Sequence, residues 1–409
     1  MAEGESLMQK YTYDVAIVGG GMVGSALACA LAESDLKVAL VEPHAPPVFD
    51  PEAPCGLRVS AISYASENIL KALGAWEGII SRRACPYRRM LVWEKDQAIE
   101  TNFNSASLGL PHLGHIVENA IVQLALHESM STLDQVTMYC PAESETVDLM
   151  AQKITLNTGE SFSAKLIVAA DGAHSRLREM AGIPLTQRTY NQHALVATVE
   201  TVLPQQDITW QCYAPTGPQA FLPLPGHQGS LVWYASPAQV QTYHQIPESK
   251  LMDEIQRAFP ERLGEITGIS SKGHFPLIRR HAQTYVRPGF VLLGDAAHTI
   301  HPQIGQGVNM GFLDMAALAE TILQAHAQGE DFSRARVLKR FERWRRWDNT
   351  LTIGITDQLY SIFRSQSRLA QHIRNTGFAL ADRTPPLNKL LASFAVGKMP
   401  HLPRVTRKL

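Results

Sequence analysis

The junction between Tyr13-Asp14-Val15-Ala16-Ile17-Val18 and Gly19-Gly20-Gly21-Met22-Val23-Gly24 constrains this chain more than any other stretch. An apolar run this short, ended by glycines, reads as a buried strand of a parallel sheet. Met22 to Ala32 is rich in Ala and Leu and reads as a helix, and Lys37 to Val41 reads as the next strand. The three predict a βαβ unit with Gly19, Gly21 and Gly24 in G-x-G-x-x-G spacing at the strand-to-helix turn. Gly19 permits the tight turn, Gly21 lets the backbone approach a pyrophosphate, and Gly24 lets the helix pack close to the strand. Free N–H groups at the helix start, at Met22 and Val23, then hold the phosphates with help from the helix dipole. Glu42 ends the second strand, where a carboxylate accepts both ribose hydroxyls of an adenosine and repels a 2′-phosphate. The fingerprint disfavours NADP and does not choose between FAD and NAD.

Two further apolar strands, Lys165 to Ala170 and Phe290 to Leu293, lie far downstream, the second followed by a helical stretch from Gly307 to about Gln328. Strands that build one site are thus distant in sequence, so the nucleotide domain must be discontinuous. Between them, over 193–274, short alternating segments such as Gly229 to Tyr234 are separated by Pro and Gly, which suits an inserted antiparallel sheet. The expected architecture is α/β: a discontinuous Rossmann-like cofactor domain over 11–75, 100–190 and 276–335, an inserted antiparallel-sheet substrate domain over 76–99 and 191–275, and a helical C-terminal region over 336–409. The net charge of −1 shows no basic excess, which argues against a nucleic-acid partner. Five scattered cysteines, none in metal-ligand spacing, read as reduced cytosolic thiols, and no metal site is expected. Met1 to Lys10 lacks the apolar core of a signal peptide, and no run of about 18 apolar residues occurs, so the chain is expected to be cytoplasmic or at most peripheral to the inner membrane. From Arg334 onward, cations alternate with Phe341, Trp344 and Trp347, and the tail from Lys398 to Leu409 is also basic. Such a stretch is either a solvated helix packed on the body or a surface for lipid or a partner protein.

The Phe290 strand runs into Gly294-Asp295-Ala296-Ala297-His298, then Pro302, then Gly305-Gln306-Gly307-Val308-Asn309. Asp295 falls at the carboxyl end of a strand, where open α/β sheets place ligands, and its carboxylate can hold polyol hydroxyls. Gly305 and Gly307 precede a helix whose bare N–H groups suit the anionic edge of a reduced flavin. His298 and His301 are candidates to assist deprotonation, or are packing histidines.

With Asp171-Gly172-Ala173-His174-Ser175-Arg176-Leu177-Arg178 between them, these motifs resemble, in order, those of the aromatic-hydroxylase family of FAD monooxygenases, whose type member acts on p-hydroxybenzoate. The resemblance covers nearly the whole chain. It implies non-covalent FAD at Gly294 and Asp295, and a role for Asp171 and Gly172 with both FAD and a transient NAD(P)H donor. Arg58 resembles the family arginine near the pyrophosphate, and Gln123 a glutamine near the ribityl chain. Pro302 is expected to border the reaction space. Arg58-Val59-Ser60-Ala61-Ile62-Ser63, Val117-Glu118-Asn119 and Phe275-Pro276-Leu277-Ile278-Arg279-Arg280-His281 are similar to the ubiquinone-biosynthesis branch. Ala220 to Leu224 and Ser230 to Tyr234 point to its subgroup acting on a methyl-methoxy-benzoquinol with a prenyl tail. That branch implies ring hydroxylation of a prenylated quinol with O2 through a flavin C4a-hydroperoxide, and other ubiquinone-biosynthesis proteins as partners. Hydroxylation at another ring position, a prenyl-lipid reductase or oxidase, and a non-catalytic flavin-binding subunit are the rival readings; Asp171-Gly172 together with Gly294-Asp295 favours the hydroxylase.

Overall fold

The last four residues of β1 (Tyr13–Val18) are all buried, as a strand covered on both faces requires. The glycine turn leads into α1 (Met22–Leu31), and the chain returns as β2 (Val38–Val41), parallel to β1 with Val15 opposite Val38 and Val18 opposite Val41. The computed structural model describes residues 11–95, 100–214, 216–259, 264–365, 367, 374, 376–377, 380, 383–397 and 402–404. Met1 to Lys10 and most of the basic tail from Lys398 therefore lie outside the described residues.

Downstream come β3 (Val59–Ser63), α2 (Tyr64–Ala72), β4 (Gly114–Glu118), α3 (Asn119–Met130), β5 (Ser161–Ala169), α4 (Arg176–Met180) and the long strand β6 (Leu185–Thr201). They are followed by β7 (Ile266–Ala282), β8 (Phe290–Leu292), α5 (Gly307–Ala327), α6 (Ala335–Arg364) and α7 (Pro385–Ala395). In the nucleotide sheet β8, β5, β1 and β2 are neighbours in that order, every pair parallel. The carboxyl ends of three adjacent strands thus deliver Gly19, Asp171 and Gly294-Asp295 side by side. That is the physical content of the discontinuous domain: sequence-distant motifs meet because their strands are neighbours.

The second large sheet runs His298–Thr299, β7, β6, Gln228–Ala235, Gly217–Pro223, Ile208–Ala214, Arg89–Glu94 and Glu100–Asn104. It is antiparallel except where Ile208–Ala214 lies parallel to Arg89–Glu94. Its span exceeds the expected substrate region. β6 starts at Leu185, β7 reaches Ala282, and Glu100–Asn104 joins it by pairing with Arg89–Glu94. β6 and β7 stay paired from Leu185 opposite Ala282 to Thr201 opposite Ile266 through three register shifts, so the sheet runs past the point where the alternating texture begins and stops. Trp93, Trp210, Phe221, Trp233 and Phe259 pack together behind this sheet. A third sheet, β3, β4 and Cys85–Tyr87, bridges the two parts.

The stretch from Arg334 is one long helix, α6. Val337, Leu338, Phe341, Ile353 and Tyr360 form its buried side, so it does pack on the body. Among the described residues, no helix is long and apolar enough to cross a membrane.

Candidate active site

The glycine turn after β1 is built by its own backbone. Gly19 has φ +106°, and a Cβ there would lie 2.3 Å from the Ala170 carbonyl oxygen; a Cβ on Gly24 would lie 1.9 Å from the Gly19 carbonyl oxygen. Gly21 differs: a Cβ there would meet nothing within 4 Å. Two glycines are therefore demanded by the packing of helix on strand, and the third opens onto free space, as a pyrophosphate cradle requires. Gly20 is pinned at both ends. Its N–H donates to Glu42 Oε2 (2.6 Å), and its carbonyl accepts from Ser25 Oγ (2.8 Å), Gln123 Nε2 (2.9 Å) and His127 Nε2 (2.9 Å). Gln123 thus binds the glycine turn itself. His127, one helical turn along α3, is a partner that sequence reading missed; its i, i+4 spacing from Gln123 is the signal that could have found it.

The Asp-Gly segment follows β5. Gly172 takes φ +80°, and Asp171 Oδ2 accepts from the Leu177 N–H at the start of α4 (3.2 Å). Asp171 Oδ1 is buried with no hydrogen-bond partner among the described residues. A buried carboxylate oxygen left bare is costly, so it marks a place where a hydroxyl donor belongs. Arg178, itself buried, donates through Nη1 to the carbonyls of Ala296 (3.0 Å) and Ala173 (3.4 Å) and clamps this loop to the next. Gly294 has φ +57° and, with Gly311 of α5, makes room for the Val23 side chain of α1. Asp295 is exposed on one side and enclosed by protein elsewhere. That enclosure raises its pKa, opposed by the charges of His298, Arg58 and Arg280. Arg58 is exposed, and its guanidinium makes no ion pair among the described residues, so it stands free for an anion.

Pro302 opens a short turn that ends at Gly305, with φ +62°, and α5 starts at Gly307 with no side-chain cap. The first N–H groups of this helix, at Gly307 and Val308, are left for a ligand. Two neighbours are spoken for. Gln306 Nε2 donates to the Ala395 carbonyl of α7 (2.9 Å). Asn309, buried, accepts from the Ser63 N–H (2.9 Å) and Ser66 Oγ (2.8 Å) and donates to the carbonyls of Ala61 (2.9 Å) and Gly305 (3.1 Å). Its side chain holds the turn, and only its backbone faces outward chemistry.

The FAD binding domain family model matches residues 12–346. The chain belongs to that family. It is 40% identical to the 3-demethoxyubiquinol 3-hydroxylase of Escherichia coli over 94% of this chain and 98% of that protein, and 33% identical to the ubiquinone hydroxylase UbiL of Rhodospirillum rubrum over 96% and 92%. Its fold matches p-nitrophenol 4-monooxygenase from Pseudomonas putida with a TM-score of 0.78 at 19% identity, over 96% of this chain and 100% of that one. The chain is an FAD-dependent monooxygenase of the p-hydroxybenzoate hydroxylase-like fold. The bare Asp171 oxygen, the open face of Gly21 and the uncapped start of α5 fit that cofactor.

In this monooxygenase neither candidate histidine reaches the solvent side of the site. His298 and His301 are each 1% exposed. His298 Nε2 pairs with Asp314 Oδ2 (2.5 Å), and Asp314 also accepts from Arg345 Nε (2.8 Å) and Asn349 Nδ2 (3.1 Å). Burial acts to raise the Asp314 pKa, but His298 and Arg345 hold it below the usual range. His301 lies among the rings of Tyr190, Tyr234 and Tyr360, and burial lowers its pKa to about 4. Its Nδ1 accepts from the Gln303 N–H (3.3 Å). Both histidines pack the loop.

The fold also gathers a group that no spacing announced: Glu67, His112 and His115, whose ligand atoms lie within 4.8 Å of one another. Glu67 Oε2 meets His112 Nε2 (2.6 Å) and His115 Nδ1 (3.1 Å), while Lys71 Nζ sits on Oε1 (2.9 Å). An ammonium already neutralises this carboxylate, so the group is explained as a buried ion-pair cluster. None of the five cysteines is in a disulfide, and burial pushes the Cys29 and Cys85 thiols up to about 12, which makes neither a nucleophile.

Proposed function

We propose that this monooxygenase hydroxylates the ring of a prenylated benzoquinol in ubiquinone biosynthesis, using O2 and a transiently bound NAD(P)H. The observation that carries the substrate is the near end-to-end similarity to a ubiquinol ring hydroxylase. When bound, FAD would supply the redox chemistry that couples NAD(P)H and O2 to ring hydroxylation.

The chain's own residues position and shield. Glu42 receives the adenosine ribose. The N–H groups of Gly21, Met22 and Val23, with Gly19 and Gly24 shaping the turn, hold the pyrophosphate, and the free Arg58 guanidinium neutralises it. Gln123 fixes the turn beneath them. Asp171 Oδ1, beside Gly172, and Asp295, beside Gly294, take hydroxyls of the polyol chain. The start of α5, with Gly305, Gln306, Gly307, Val308 and Asn309 setting its shape, stabilises negative charge at the pyrimidine edge. Pro302 borders the space where the ring sits. No protein base is assigned: His298 and His301 are enclosed, and the hydroxyls of a quinol already activate its ring. The protein is proposed to work in the cytoplasm against the inner membrane, beside other proteins of ubiquinone biosynthesis.

The test is quinol-dependent NAD(P)H oxidation by the yellow holoprotein, paired with mass spectrometry of the quinone intermediates that accumulate when the gene is deleted. A demethoxy quinol intermediate accumulating in the deletion strain is the expected result. NAD(P)H oxidation indifferent to any quinol, with an unchanged quinone profile, would overturn the reading.

A further inference from the structure

One face of α6 has no use in the site. Arg336, Arg340, Arg343, Trp347, Leu351 and Ile355 recur at intervals of three and four and form a single stripe, with Lys339 beside it. The stripe is cationic in its first half and apolar in its second. Trp347, at the junction, is 72% exposed, Leu351 48% and Ile355 37%, large values for such side chains. Arg336 and Arg340 share Glu330, whereas Lys339 and Arg343 have no ion pair among the described residues. The acids of the helix are committed elsewhere. Glu342 accepts from Thr284 and the Tyr285 N–H, Asp348 pairs with Arg345, and Asp357 takes Tyr190, Arg188 and Arg279.

We propose that this stripe docks the protein on an anionic phospholipid surface. Charge complementarity selects that occupant. A second copy of the chain could cover the apolar half, but its own stripe offers no carboxylate to receive Lys339 and Arg343. A bilayer with anionic headgroups uses both halves at once: phosphates take the cations, Leu351 and Ile355 enter the acyl boundary, and Trp347 sits at the interface between them. The inference deepens the prenyl-quinol reading and rests on it for its purpose, since a substrate with such a tail dissolves in the bilayer.

The experiment is co-sedimentation of the holoprotein with vesicles of phosphatidylcholine alone or with one-third phosphatidylglycerol, at low and high salt. Wild type is expected to bind the anionic vesicles at least tenfold more tightly than the neutral ones, and less tightly as salt rises. Each cation removed from the surface weakens binding about fivefold, so the pair Lys339→Glu with Arg343→Glu should weaken it more than tenfold. Leu351→Ser with Ile355→Ser should also weaken it about tenfold, with melting temperature and turnover of a short-chain, water-soluble quinol unchanged in both variants. Failure of wild type to bind anionic vesicles, or equal binding by both variants, overturns the proposal. So does a wild-type dimer that Leu351→Ser with Ile355→Ser converts to monomer without any vesicle binding, which would make the stripe a contact between copies. Vesicle binding without quinol turnover would support docking and count against the substrate reading alone.

Discussion

The two loops that converge on the cofactor are stiffened by different means. The turn after β1 is shaped by close backbone approach, with Gly24 set against the Gly19 carbonyl and Gly19 against Ala170, while Glu42, Ser25, Gln123 and His127 fasten Gly20. The loop from Gly294 to Asn309 is held by buried polar side chains: Arg178 on Ala296, His298 on Asp314, and Asn309 on Ser63 and Gly305. A turn shaped by backbone contact tolerates no Cβ at Gly19 or Gly24. A side-chain-braced loop accepts more shapes but depends on buried charge.

The sharpest way to break the first loop is Gly24→Val. Its side chain has nowhere to go but into a backbone carbonyl, and a loss beyond about 4 kcal/mol is expected. Soluble protein with a wild-type melting curve would show that the helix can slide off the strand, which the contact distances deny. The second loop breaks at Asp314→Ala. Removing one partner leaves His298 and Arg345 buried without their anion, at a cost of about 3–5 kcal/mol. Chemical denaturation of the apoprotein measures both, and the contrast predicts that only the Asp314 variant changes the acid limb of the stability curve.

How much of this was legible follows the same division. Gly19, Gly21, Gly24 and Glu42 act within one βαβ unit, so their spacing carries their geometry. Asp295 was legible as a strand end and Asp171 from the family resemblance, and the sheet places the two together. The braces were not. Arg178 reaches Ala296, Asn309 reaches Ser63, and Arg345 reaches Asp314, and each pair is joined by packing rather than by any periodic spacing. Gln306 and Asn309 were expected at the cofactor by position in the motif; their side chains instead serve α7 and β3. A motif fixes which backbone faces the ligand better than it fixes which side chains do.

A pH titration sharpens the comparison further. The folded-state pKa of His301 is about 4, below an unfolded value near 6.5, so the unfolded chain binds the proton first. Its contribution is complete above about pH 6.5 and is lost as pH falls toward 4, amounting to as much as about 3 kcal/mol. His281, also near 4, works in the same sense. His301→Phe keeps the ring among Tyr190, Tyr234 and Tyr360 and should flatten the stability curve between pH 6.5 and 4, with a pH-independent loss of about 1–3 kcal/mol because the buried Gln303 N–H loses its acceptor. An unchanged acid slope would mean that His301 is hydrated in solution and that the second loop is looser than its packing indicates.

The smallest effect on the fold should be the largest on the cofactor. In Asp171→Asn one oxygen still accepts the Leu177 N–H, so α4 stays capped and apoprotein stability should move by less than about 0.5 kcal/mol. The other oxygen becomes an NH2 group, a donor where a polyol hydroxyl needs an acceptor. A charge-assisted hydrogen bond is worth about 1.5–3 kcal/mol, so FAD affinity should fall roughly tenfold to a hundredfold. Gly307→Val, whose Cβ finds nothing within 4 Å among the described residues, should act the same way by blocking the helix start. Flavin fluorescence titration of the apoproteins reads both. If Asp171→Asn binds FAD as wild type does, the bare carboxylate oxygen is satisfied by something other than the cofactor, and the assignment of the middle strand end to the polyol chain fails while those of Gly21 and α5 stand.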